Sequence, residues 1–198
     1  MAKGAFRLTT LGIVMIPVAV GINFIGKQLA NTLNLPIWLD SIGTILSAVI
    51  AGPWIGAISG FVNNLFFGLT MDGGLSIWYG ISSIAIAMAA GVLAALGWFR
   101  SLPKAIVAGI IVAIVSAIVS TPINVLLWGG QTGKAWGDLL FGMLIGNGVN
   151  IWLASFIDEL LLDLFDKVVV AALVYFIALG LPKRLTQGIR SAETAVRK

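Results

Sequence analysis

Ser41 to Met71 reads SIGTILSAVIAGPWIGAISGFVNNLFFGLTM, and no side chain in it is charged. A transmembrane helix takes about 20 mainly apolar residues, so this stretch is too long for one crossing and just long enough for two short ones. Gly52-Pro53 supplies the break, because a proline ring disfavours helical geometry in the residue before it. The reading is two helices, about 41–52 and 54–71.

Working outward, the same test finds four more windows. The first runs over about 8–29; Lys3 and Arg7 precede it, and it lacks the small-residue cleavage site of a signal peptide, so it reads as a retained span. The fourth covers about 76–99, ending at Arg100 and Leu102-Pro103, and the fifth about 104–128. The sixth covers about 160–181, stopped by Gly180, Pro182 and the pair Lys183-Arg184. Between the last two, 129–159 reads as an outer loop with a short re-entrant or interfacial helix, because Gly142, Gly146 and Gly148 weaken a full span. The expected fold class is therefore an all-α membrane protein of six transmembrane helices in one domain, followed by a basic tail over 183–198.

Composition supports a lipid solvent. Of 198 residues, 59% are apolar and 10% are charged, against about 25% charged in a soluble domain. There is no cysteine and no histidine, which excludes disulfides, thiolate nucleophiles, His-ligated metals and His-centred acid–base chemistry. The segment Gly129 to Ala135, GGQTGKA, is not a P-loop: the gap between glycines is one residue short, and Ala follows the Lys. Any ATP-driven work would fall to partner subunits, and the expectation is no enzyme, no cofactor, no metal and no nucleic-acid partner.

Charge sets the orientation. Cytoplasmic loops carry the excess of Lys and Arg, and six spans with both termini cytoplasmic place nine of the twelve cations inside, whereas seven would put the C-terminal cluster outside. The net +4 then divides into a formal +8 inside and −4 outside. The acidic side includes Asp40, Asp72, Asp138 and Asp158 and the entry to the last helix. There Glu159, Asp163, Asp166 and Lys167 share one face. Each unpaired charge at a helix centre costs about 2.5–3.5 kcal/mol, so they are expected near the outer water, with Asp163 able to pair with Lys167. They serve either as architecture or as an anionic wall favouring a cationic or amine-bearing ligand.

Small residues four apart permit close helix packing in lipid. Gly52, Gly56 and Gly60 fit this pattern, as do Gly142 and Gly146, and both sets are expected to pack within the chain. Ala19 and Asn23 repeat the spacing, and Asn23 needs an internal partner or another membrane subunit. In the outer half, amides and aromatics recur: Trp38, Trp78, Tyr79, Asn124, Trp128, Asn147 and Asn150. Any one aromatic reads readily as an interfacial anchor. Deep Asn residues gather around cavities, and Asn124 follows Pro122 inside a span.

Residues 8–185 resemble the substrate-binding S components of energy-coupling factor (ECF) transporters. The resemblance is carried by six helices, Ala19-x-x-x-Asn23, DSIGTILSAVIAGPWIGAISGFVNN (Asp40 to Asn64) and FDKVVVAALVYFIALGLPKRL (Phe165 to Leu185). It implies capture of a vitamin, vitamin precursor or similar micronutrient from outside a cell membrane. Delivery would follow through a transmembrane T subunit and two cytoplasmic ATPases, with the S component toppling in the bilayer. It also implies that Ala19 meets the T subunit, while Asn23 departs from the family's usual Ala. The expected binding shell is Trp38, Asp40, Trp78, Tyr79, Asn124, Trp128, Asn147 and Asn150, with Glu159 or Asp163. The alternatives are a membrane sensor for a signalling partner and an autonomous secondary transporter. The latter tends to show inverted repeats, and the two halves of this chain show none that is convincing.

Overall fold

A computed structural model describes residues 9–182. The basic residues before the first helix, the start of that window at Leu8, and the tail 183–198 lie outside them. The described chain is all helical: α1 (Thr10–Thr32), α2 (Ile42–Ala51), α3 (Pro53–Thr70), α4 (Leu75–Trp78), α5 (Gly80–Ala95), a 3₁₀ turn (Trp98–Arg100), α6 (Leu102–Trp128), α7 (Ala135–Gly146) and α8 (Ile151–Gly180). Three stretches are long and apolar enough to cross a membrane, namely Thr10–Thr32, Leu75–Ala95 and Leu102–Trp128.

The uncharged stretch does break at Gly52-Pro53. Gly52 takes φ 97°, a conformation that favours glycine, and Pro53 opens α3 where its missing N–H costs nothing. Of the glycines spaced four apart there, Gly56 packs against Ala48, and Gly60 against Ser83 and Thr44. Gly52 is the hinge. The second set differs from expectation: a Cβ at Gly142 or Gly146 would meet open space, because α7 lies over α8 through Gly137 and Phe141 instead.

Many small residues lie inside, beside Ile45, Ile55, Ile86 and Val170, and many large apolar side chains lie on the outer surface. Ala19, Ala87, Ala90, Ala105, Ala108, Ala117 and Ala171 are buried, while Ile25, Leu69, Leu126 and Phe165 are exposed. Small residues inside let backbones approach where apolar side chains gain nothing from leaving lipid. At Gly109 a Cβ would overlap the Lys167 carbonyl and Val168, so this glycine brings α6 against α8 and sets the width of the space between them.

Asn23 shows how a polar group is used in this interior. It is fully buried; its Oδ1 accepts from the Gly43 N–H at 2.7 Å, and its Nδ2 donates to Thr44 Oγ1 at 2.9 Å. Gly43 lies in the first turn of α2, where backbone N–H groups lack intrahelical acceptors, and Ser41 makes no side-chain cap. Asn23 therefore caps α2 from α1. Ala19 is also fully buried, its backbone against Gly43. Both residues of the Ala19/Asn23 pair are engaged within the chain.

The last helix begins at Ile151, nine residues before the expected 160. Asn150 caps it, its Oδ1 accepting from Trp152 N–H at 2.9 Å, and the helix then runs straight through the charged face. Helix continuation is possible because those charges turn inward and find partners. Asn23→Leu should lower stability by about 1–3 kcal/mol, the loss of two interhelical hydrogen bonds of about 0.6–1.7 kcal/mol each. Thermal unfolding in detergent measures it; an unchanged midpoint would contradict the capping role.

Candidate functional site

Residues of six helices and of the connections between them line a cavity of about 380 Å³, within the range of small-molecule sites. One wall is a stripe on α6: Ser116, Ser120, Asn124 and Trp128 recur every four residues and so share a face. The facing wall is the matching stripe on α8, Glu159, Asp163 and Lys167. α5 adds Ser82, Ser83 and Ile86, with Tyr79 at its entry and Asn64 from α3 beside it. Lys27, Trp38, Asp40, Asp72, Gln131 and Thr132 complete the lining, from the end of α1 and from the connections.

The polar groups are ordered by mutual bonds. A carboxylate can only accept, so the Asn124 amide must turn its NH₂ to Glu159 Oε2, at 3.0 Å, and its oxygen to Tyr79, whose hydroxyl donates at 2.5 Å. The Ser82 and Ser120 hydroxyls pair at 2.6 Å, and Asn64 Nδ2 donates to Ser83 Oγ at 2.6 Å. Asp72 accepts from the Ser76 N–H and hydroxyl, fixing α4 at the rim.

Beneath the cavity, Lys167 Nζ lies 3.1 Å from Asp163 Oδ1 and 2.6 Å from Asp166 Oδ2, all three residues at most 2% exposed. The expected Asp163–Lys167 pair is present. Glu159, Asp163, Asp166 and Lys167 are all buried within the protein, where pairing and interhelical bonds stand in for solvent.

Asp166 has a second task. Its Oδ1 accepts the backbone N–H groups of Trp38 at 3.0 Å and Leu39 at 2.8 Å, holding the 33–41 connection across α8. Leu39 sits at φ 52°, a conformation uncommon for a non-glycine residue, which persists only where the surroundings over-determine it. The two bonds to Asp166 do so, together with Gly26, which lets α1 approach the Leu39 carbonyl. Trp38 is thereby held over the cavity. Lys134 covers its ring at 4.8 Å and donates to Asn31 Oδ1 at 3.1 Å. Partial burial lowers the proton affinity of the Lys134 ammonium, Asp40 opposes that shift, and Lys27 adds to it.

Of the residues expected to form a binding shell, Trp38, Asp40, Tyr79, Asn124, Trp128, Glu159 and Asp163 line this cavity. Three do not. Trp78 is exposed; Asn147 closes α7 by donating to the Met143 carbonyl; Asn150 is the α8 cap. Sequence reasoning missed Lys27, Gln131, Thr132, Lys167 as lining and the serines. The serine stripe had a signal, since Ser116 and Ser120 continue the four-residue spacing of Asn124 and Trp128. Lys27 and Gln131 had none. Amides, hydroxyls and aromatic faces arranged this way can hold a flat, heteroatom-rich molecule. Among the described residues no group of three or more carboxylates is placed to hold a metal.

No family model, curated protein or solved structure matches the chain. Lys167→Met should destabilise the fold by about 3–5 kcal/mol, since it leaves two buried carboxylates without a cation. Lys167→Met combined with Asp163→Asn should recover part of that loss. Thermal unfolding of both variants checks this, and equal stability of Lys167→Met and the parent would refute the buried triad.

Proposed function

We propose that this chain is a substrate-capture subunit embedded in the cell membrane, of the kind that serves ECF importers, and that it carries no catalysis of its own. The observation that carries the reading is the polar cavity, of ligand size, inside a bundle whose outer surface is apolar. A packed structural core would fill such a space with side chains.

In this reading the six helical segments α1, α2, α3, α4–α5, α6 and α8 cross the bilayer, both termini are cytoplasmic, and the cavity receives its ligand from outside. Lys27, Asp40, Asp72 and the 129–134 connection form its rim. A vitamin-sized micronutrient is the substrate, and a T subunit with two ATPases supplies the energy. Residue pattern supports that last step: no nucleotide motif is present in the chain.

Mass spectrometry of small molecules released from protein purified in mild detergent tests the capture role. Wild type should yield one compound of vitamin size in near-stoichiometric amount. Asn124→Ala with Trp128→Ala should retain at least tenfold less. Asn150→Ala should retain the wild-type amount while costing about 1 kcal/mol of stability, the usual worth of a helix cap. Equal recovery from the cavity double variant and wild type would refute the site. Co-purification of a T subunit and two ATPases with the tagged chain tests the importer; uptake by the chain alone in ATP-free vesicles would overturn it.

A further inference from the structure

The two carboxylates on the α8 wall are not equivalent. Asp163 is ion-paired with Lys167, a cation that it shares with Asp166. Glu159 is also buried, yet the ion pairs of Lys167 are to the two aspartates, and the Glu159 carboxylate accepts from the neutral Asn124 amide. That bond is aimed. Tyr79 fixes the Asn124 oxygen, which fixes the NH₂ on Glu159 Oε2, and Glu159 itself lines the cavity.

A carboxylate taken from water without a counter-charge is costly, and the cost is relieved by a cation that hydrogen-bonds to it. Of the two carboxylates on this wall of the cavity, Asp163 has an ion pair with Lys167, whereas Glu159 has none among the described residues. Around Glu159 the rings of Tyr79 and Trp128 line the same space, and ring faces attract a cation electrostatically. A positively charged nitrogen placed here meets a carboxylate and π-faces together, with the serine hydroxyls of α5 and α6 available to the rest of the molecule.

We infer that Glu159 is the cation-receiving group of this cavity and that its ligand is a flat ring compound bearing a protonated amine or other cationic nitrogen. Asp163 serves to position Lys167 and does not contact the ligand. This rests on the capture role proposed above and names the substrate class it takes.

The test is binding of three probes of matched shape to the full chain in detergent: tryptamine, its alcohol counterpart indole-3-ethanol, and its acid counterpart indole-3-acetate. It is read together with the charge at pH 7 of the compound recovered from purified protein. Tryptamine should bind at least tenfold more tightly than the alcohol, with the acid weakest. Glu159→Gln should lower tryptamine affinity tenfold or more and change the alcohol by less than threefold. The wild-type ranking stands as a test even where the variant fails to fold. Preference for the alcohol or acid, or a neutral or anionic recovered compound, overturns the inference and leaves capture intact. If the three probes do not bind, the recovered compound decides: a cationic one supports the inference. No probe binding and no recovered compound sinks the capture reading and the inference with it.

Discussion

The structure depends on one lysine. Lys167, on a helix turn deep in the bundle, is shared by Asp163 and Asp166, and without it neither carboxylate could remain ionised away from water at tolerable cost. Each aspartate then has consequences elsewhere. Asp163 helps form the cavity wall, and Asp166 takes two backbone N–H groups from the connection between the first two helices. A single ion cluster thus joins the last helix to the first connection and holds Trp38 at the cavity. The glycine at position 109 makes the arrangement possible by letting α6 lie directly on the Lys167 backbone.

The cavity is the counterpart of that economy. The polar groups inside are conspicuous, and six of those at the cavity, Ser116, Ser120, Asn124, Glu159, Asp163 and Lys167, lie on two facing stripes of four-residue period. Their bonds form a directed chain from Tyr79 through Asn124 to Glu159. Preformed order of this kind reduces what a ligand must spend to be held. It fits a binding protein better than a channel, which needs a continuous path and weak sites.

Much of the fold was legible beforehand because lipid imposes simple rules. Uncharged runs between punctuation by Gly, Pro and charge fall within a few residues of α1, α2, α3 and α6, the single window 76–99 is divided into α4, α5 and a 3₁₀ turn, and the spacing of Glu159, Asp163 and Lys167 gave their shared face. What was not legible was depth. A rule that prices an unpaired charge in a membrane moves such residues toward water; it does not see that Lys167 bridges two acids at once. The start of α8 was misplaced for the same reason. Contacts such as Asp166 with Trp38 and Leu39, or Asn23 with Gly43, join residues far apart in the chain and leave no local pattern. Asn147 and Asn150 were drawn into the candidate site because their amides are deep in apolar sequence, yet both close helix ends.

The most direct test of a ligand-holding cavity is an experimental structure of the chain purified, without added ligand, from the membranes in which it is made. The account predicts density for a flat, non-lipid molecule between Tyr79, Trp128 and Glu159, within hydrogen-bond distance of the Glu159 carboxylate, beneath a 33–41 connection still tied to Asp166. A cavity closed by collapse of Trp38 onto α6, or filled by an acyl chain, would contradict it.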